Sequence, residues 1–403
     1  MGLNWELNMA EQNMINADRL SETFMALVKI DSISREEAFI CRMLQEKLVG
    51  MGADVSFDDA AAKVDGSSGN LVAKFPGNRL VAPMMLNAHM DTVEPGRGVK
   101  PVFKDGAFYS DGTTILGADD KSAVAVLLEV LTVVLENDLP HGPIELVLTV
   151  CEEIGLQGAK NLDFSLISAK MGYALDSADT AGIVTRAPSA NKLVFEIHGK
   201  DTHAGATPEK GINAISLAAK AIAGLELGRI DEETTCNLGI IEGGLATNIV
   251  PSLVTVKGEA RSHDEAKLKV VTDGIVAAFK KAVNEYHGNG RQADDVNLPR
   301  LEYEVIEDFP RTHIPADHPV VQLATQAAEN LGRTLKTKTT GGGADANIFF
   351  SRDIFTGVLG TGMHDIHSVR ENIKLADMMD VGQLVLEIIA LHANTALDKE
   401  VAQ

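Results

Sequence analysis

Pro83-Met84-Met85-Leu86-Asn87-Ala88-His89-Met90-Asp91 is the stretch from which the fold can be read. Six uncharged, mostly apolar residues end on an imidazole and, two positions later, a carboxylate. A short, continuous apolar run that does not alternate reads as a strand buried on both faces, as in parallel sheets. Runs at 70–75, 144–151, 172–175 and 354–359 have the same character. Between them, 121–136 reads as a strong helix with Asp119 or Asp120 available to cap it. Upstream, Leu20, Phe24, Leu27 and Val28, then Ile40, Met43, Leu44 and Leu48, follow helical spacing and predict a helix pair over 16–51. Strands alternating with helices predict an α/β domain with a largely parallel sheet.

The character changes after about Arg186. Leu193, Phe195 and Ile197 alternate with Lys192, Val194, Glu196 and His198, and Val254, Val256, Gly258 and Ala260 suggest a second strand of that kind. Helical stretches are expected at 211–226 and 263–286, with a polar loop at 288–298. One-sided strands plus two helices predict a small α+β insert. The expected organisation is therefore a discontinuous domain, 1–186 and 308–403, carrying an insert at 187–307.

Composition narrows the partners. The chain has 403 residues, 45% hydrophobic and 23% charged, with a net charge of −21 and no basic tract to offset it. Nucleic acid is not an expected partner. The longest apolar stretch, 122–135, is interrupted by Glu129 and too short for a bilayer, so no membrane association is expected. Residues 1–6 show no basic segment leading into an apolar one, and Cys41, Cys151 and Cys236 are few and widely spaced. Both features lead us to expect a cytoplasmic protein.

The chemistry lies in five blocks: His89-Met90-Asp91, Gly117-Ala118-Asp119-Asp120-Lys121, Cys151-Glu152-Glu153-Ile154-Gly155, Leu175-Asp176-Ser177 and His364-Asp365-Ile366-His367. Most follow a strand-like run, and side chains at the carboxyl ends of neighbouring parallel strands converge on one crevice. Imidazole with carboxylate favours zinc-like ions, with cobalt or manganese as alternatives. A pair of metals needs a bridging carboxylate and terminal ligands on each ion. His89 and Asp91 share a face of an extended segment, so Asp91 can orient the imidazole. Glu152 and Glu153 are adjacent and should point apart, one to metal and one to the attacking water. Taken singly, each block has an ordinary reading as a turn, a helix cap or a surface group. Their joint presence in order at strand ends is what points to a metal-dependent hydrolase.

These blocks resemble the M20 family of metallopeptidases, and within it the peptidase T (tripeptidase) branch, over about 70–373. Further matching stretches are His203-Ala-Gly205 through Pro208 to Gly211 and Asn213, Thr247-Asn248 to Pro251, Gly258 to Arg261-Ser262, and Gly341-Gly342-Gly343-Ala344-Asp345. The resemblance implies a zinc-exopeptidase catalytic domain with an inserted lid and dimerisation domain. It implies that His89 and Asp176 bind one divalent ion, Glu153 and His367 the other, and that Asp119 bridges them, with a cis Asp119–Asp120 peptide. Glu152 would be the general base and Asp91 would orient His89. His203 would reach across a homodimer to stabilise the oxyanion. Asn248, Arg261 and the backbone of Gly342 and Gly343 would bind substrate. His364 adds an imidazole that either supports or competes with His367.

Two activities fit this set. One removes the N-terminal residue of short peptides, above all tripeptides, using a water activated by the metal pair. The other is hydrolysis of N-acyl amino acids or dipeptides at the same two-metal site. A catalytically silent scaffold that dimerises through the insert is the third reading. The complete ligand set argues against it.

Overall fold

The structure is a computed structural model that describes residues 13–287 and 297–395. The segment 1–6 and most of the loop read at 288–298 lie outside the described residues. The chain divides into two compact units. One comprises 1–186, 312–340 and 344–403, and the other comprises 187–311 with 341–343.

The first unit is built on a nine-stranded sheet. Its order is Asp54–Phe57, Leu71–Phe75, Ile144–Thr149, Met84–His89, Met171–Ala174, Phe355–Leu359, Gly182–Ala187 and Thr312–His313, with Lys336–Thr339 also paired to Gly182–Ala187. The four strands from Ile144–Thr149 to Phe355–Leu359 run parallel. Every residue of Met84–His89 and of Ile144–Thr149 is buried, which explains why these runs do not alternate. Leu71–Phe75 pairs antiparallel with its neighbour, so the sheet is mixed toward that side.

The helix Ala118–Glu136 is buried almost all round. It packs against Ala17–Val28 and Leu375–Ala393, so its apolar residues lack a single stripe because it is covered on nearly every side. Each large aliphatic side chain buried there contributes roughly 1.5–3 kcal/mol. The expected acidic cap is not found. Gly117 is the N-cap, and helical geometry is interrupted at both Asp119 and Asp120. Their carboxylates are committed elsewhere, as shown below.

The second unit is a five-stranded antiparallel sheet. Its main strands are Thr234–Gly243, Leu253–Ser262, Ser189–His198 and Arg300–Phe309 in that order, with Gly228–Arg229 at the edge. Leu193, Phe195 and Ile197 join one apolar cluster with Leu217 and Ala218 of Ala214–Ala223 and with Leu268, Ile275 and Phe279 of Glu265–Asn284. Phe195 stacks on Phe279 at 4.0 Å between centroids. Among the described residues no helix is long and apolar enough to cross a membrane. The three cysteines are buried and free.

Candidate active site

Four neighbouring parallel strands deliver the site. His89 is the last residue of Met84–His89. Glu152 and Glu153 follow Ile144–Thr149, Asp176 follows Met171–Ala174, and His367 comes after Phe355–Leu359. Asp119 arrives from the start of the central helix. Residues far apart in sequence therefore meet at one sheet edge.

Asp119 is the centre of the arrangement. Its Oδ1 lies 3.2 Å from His89 Nε2, and its Oδ2 lies 3.2 Å from His367 Nε2. His367 Nε2 is also 3.0 Å from Glu153 Oε1. Two groups result, His89–Asp119–Asp176 and Asp119–Glu153–His367, with the donor atoms in each within 4.8 Å of one another. Ligands about 2.0–2.2 Å from a tetrahedral ion sit roughly 3–3.5 Å apart, so these spacings suit divalent cations. His364 is exposed and lies outside both groups.

The electrostatics fit the same reading. Burial pushes the carboxyls of Glu152, Asp120 and Asp176 well above their ordinary values. Asp119 is the exception. Burial works against its charge too, but bonds to His367 and His89 outweigh that and hold it low. His367 is pushed up to about 10 by its hydrogen bonds to Asp119 and Glu153. His89 also rises: burial opposes its charge, and the Asp119 and Asp91 carboxylates prevail. So many buried carboxyls around two imidazoles form an anionic nest that cations would relieve.

The supporting bonds are mostly made to backbone. His89 Nδ1 lies 3.0 Å from the carbonyl oxygen of Asp91, and 3.4 Å from its carboxylate. The Asp91 carboxylate accepts instead from the amides of Glu152 and Glu153 at 2.9 and 3.2 Å, and from Ser34 Oγ at 2.6 Å. Asp91 thus touches both the imidazole block and the paired glutamates. Glu153 turns to His367, while Glu152 is buried outside both groups. Asp120 accepts from the His89 amide at 3.2 Å, which accounts for its failure to cap the helix. The Asp119–Asp120 peptide is cis.

Four buried acids have partners that the reading of individual residues did not foresee. Glu371 accepts from three backbone amides. Asp120 accepts from His89 N–H. Asp345 accepts from Thr149 Oγ at 2.5 Å. Glu37 accepts from the amides of Arg35 and Cys151. Their signals were faint: Glu371 follows His367 by four positions, and Asp345 follows the glycine run.

In the second unit, His203 Nδ1 accepts from the amides of Gly205 and Ala206, both at 3.1 Å. That fixes the tautomer with the proton on Nε2, leaving a donor on the exposed side of the ring. The Asn248 carbonyl accepts from Ala204 N–H, tying the two segments together. Arg261 donates to the Gly341 carbonyl at 3.1 Å and to Glu259 at 2.9 Å, and lies 5.7 Å from the Phe309 ring centroid. A Cβ on Gly343 would meet that ring at 2.6 Å, so a larger residue there would have to displace the Phe309 side chain. Gly342 sits in the same short loop.

With four strand ends, a shared aspartate and two imidazole–carboxylate groups in place, the class can be stated. Residues 85–391 match the pattern of peptidase family M20/M25/M40, and the chain belongs to that family. It is a metal-dependent peptidase of the peptidase T-like branch. A solved tripeptidase from Staphylococcus aureus is 41% identical, with a TM-score of 0.88, covering 95% of this chain and all of that one. The solved aminopeptidase PepT from Bacillus cereus is 42% identical, with a TM-score of 0.85, covering 94% of this chain and all of that one. An uncharacterised protein of Bacillus subtilis, YqjE, is 41% identical over 93% of this chain and 99% of its own length.

Proposed function

We propose that the protein is a dinuclear exopeptidase that removes the N-terminal residue from short peptides, tripeptides above all. One observation carries the reading: the two oxygens of Asp119 face two different imidazoles, each with a second carboxylate beside it. His89 and Asp176 would hold one ion, Glu153 and His367 the other, with Asp119 between. Zinc suits this donor set, and cobalt or manganese would also fit. When bound, such ions acidify water and polarise the scissile carbonyl.

The remaining steps fall to the chain. Glu152 takes the proton of the attacking water and passes it to the leaving amine. Asp91 holds the glutamate pair and the His89 ring at a fixed distance. We read the unit containing 187–311 as lid and dimerisation module. His203 Nε2–H would stabilise the oxyanion across a homodimer. Arg261 would read the peptide carboxylate in exchange for Glu259, with Asn248 and the amides of Gly342 and Gly343 as further contacts.

A homodimer is supported by the outer strand Thr234–Gly243. Gly228–Arg229 pairs with only Thr235 and Cys236 of it, and Ile240, Ile241 and neighbouring Leu245 are exposed. An apolar, open strand edge suits pairing with a second copy. A reducing compartment, and hence the cytoplasm, suits three unpaired thiols.

Product analysis by mass spectrometry tests the activity. The zinc-loaded protein is given an unblocked tripeptide, its N-acetyl form, and an N-acetyl amino acid. Release of the first residue from the unblocked tripeptide alone is the expected result. Cleavage of the acetylated compounds instead would move the protein to acyl-amino-acid hydrolysis at the same site.

A further inference from the structure

We propose that Glu371 is a positioning residue for the shared carboxylate of Asp119, and through it for both metal sites at once. This rests on the two-metal reading above and extends it to a residue outside both candidate ligand groups.

Glu371 is 1% exposed. Its Oε2 accepts from the amides of Leu116 and Gly117 at 2.8 and 2.7 Å, and its Oε1 accepts from the amide of Asp119 at 2.9 Å. One carboxylate thus gathers three backbone donors from four consecutive residues. Those residues form the entry to the helix Ala118–Glu136. Gly117 has φ +77, a left-handed conformation that glycine adopts readily.

A helix start leaves its first amides without intrahelical partners, and a capping side chain usually takes one. Here the N-cap is glycine and has no side chain to offer. Glu371 supplies the acceptor instead, from 252 residues further along the chain. Three bonds to one rigid, planar group remove the freedom of the entry segment to rotate. The Asp119 backbone is then held so that Oδ1 meets His89 and Oδ2 meets His367. A carboxylate shared by two ions has one acceptable orientation, so a small rotation would spoil both sites together.

Glu371 also lies on the segment that carries His367, which offers a rival account: it could serve only the ion at His367. The two accounts differ in what Glu371→Gln does. Glutamine keeps the volume but presents an NH2 where one oxygen stood, and that group cannot accept from an amide.

The experiment measures zinc stoichiometry and both zinc affinities, by competition with a chelating dye, in wild type and in folded Glu371→Gln. Folding is checked by circular dichroism. Expected are two ions in wild type and, in the variant, a weakening of both affinities by about 10-fold or more, the usual effect of removing a group that supports a ligand. Unchanged affinities, or a weakening of one ion alone, overturn the proposal. Fewer than two ions in wild type overturn the two-metal reading itself, and this inference with it. Should the variant not fold, hydrogen exchange on wild type decides. Amides of peptide 115–120 should stay protected after zinc is stripped, because Glu371 holds them. Full loss of protection on stripping means that the metals hold them, and the proposal fails.

Discussion

The two candidate ligand groups share Asp119 and the same kinds of donor, yet they differ sharply in surroundings. The His89 side chain is 2% exposed, whereas that of His367 is 48% exposed. His89 ends a fully buried strand, with its ring bonded to the Asp91 carbonyl and its amide to Asp120. His367 comes from a connection after the sheet, at φ 59. The difference teaches that one half of the site is part of the core and the other is applied to it from outside. An ion in the deep group should therefore be held as a structural element, and one in the outer group should exchange with solvent more readily.

Glu152 offers the largest effect. It is buried like the deep group but belongs to neither. Glu152→Gln should lower turnover by about 10²–10⁴-fold, the range for losing a general base, while two zinc ions remain bound. Loss of an ion in that variant would place Glu152 among the ligands and break the comparison. Mixing Glu152→Gln with His203→Ala subunits should restore part of the activity if His203 acts across a dimer. No recovery would count against that role.

His367→Ala measures the asymmetry directly. Zinc content should fall to one ion per chain, with the remaining affinity weakened far less than in His89→Ala. Dialysis of wild type against a chelator should likewise show one ion leaving before the other. Simultaneous loss would mean that exposure does not set the exchange order.

The smallest effect concerns pH. Burial pushes the Asp345 carboxyl from 3.8 up to about 6. A carboxyl raised on folding carries no penalty below its unfolded value, and its charge costs stability as pH rises through the folded value. Metal-free Asp345→Asn should therefore gain on wild type between pH 4 and pH 7, by up to about 3 kcal/mol. Urea melts at both pH values test this. A difference that stays constant with pH would show that Asp345 does not titrate in that window.

Much of the fold, and the side chains that it gathers at the strand ends, was legible in the chain. A strand buried on both faces must be apolar throughout, so 84–88 and 144–150 announced a parallel sheet. Side chains at the ends of those strands then had only one edge on which to meet. The helix cap was misjudged because an aspartate before a helix is usually a cap. Here Asp119 faces imidazoles and Asp120 faces the His89 amide, and neither partner is local. Glu371 carried no local signal of its role, since its partners lie more than 250 residues away.

The sequence by itself determined the class of the sheet, the identity of the side chains that gather at its strand ends and the chemistry that imidazole and carboxylate can support. These follow from local pattern and residue type. The tertiary structure alone decided which oxygen of Asp119 faces which imidazole, which imidazole–carboxylate group is buried, and which acids are tied to backbone amides. Those are properties of orientation and of distance between remote segments, and hydrophobic periodicity carries no record of either.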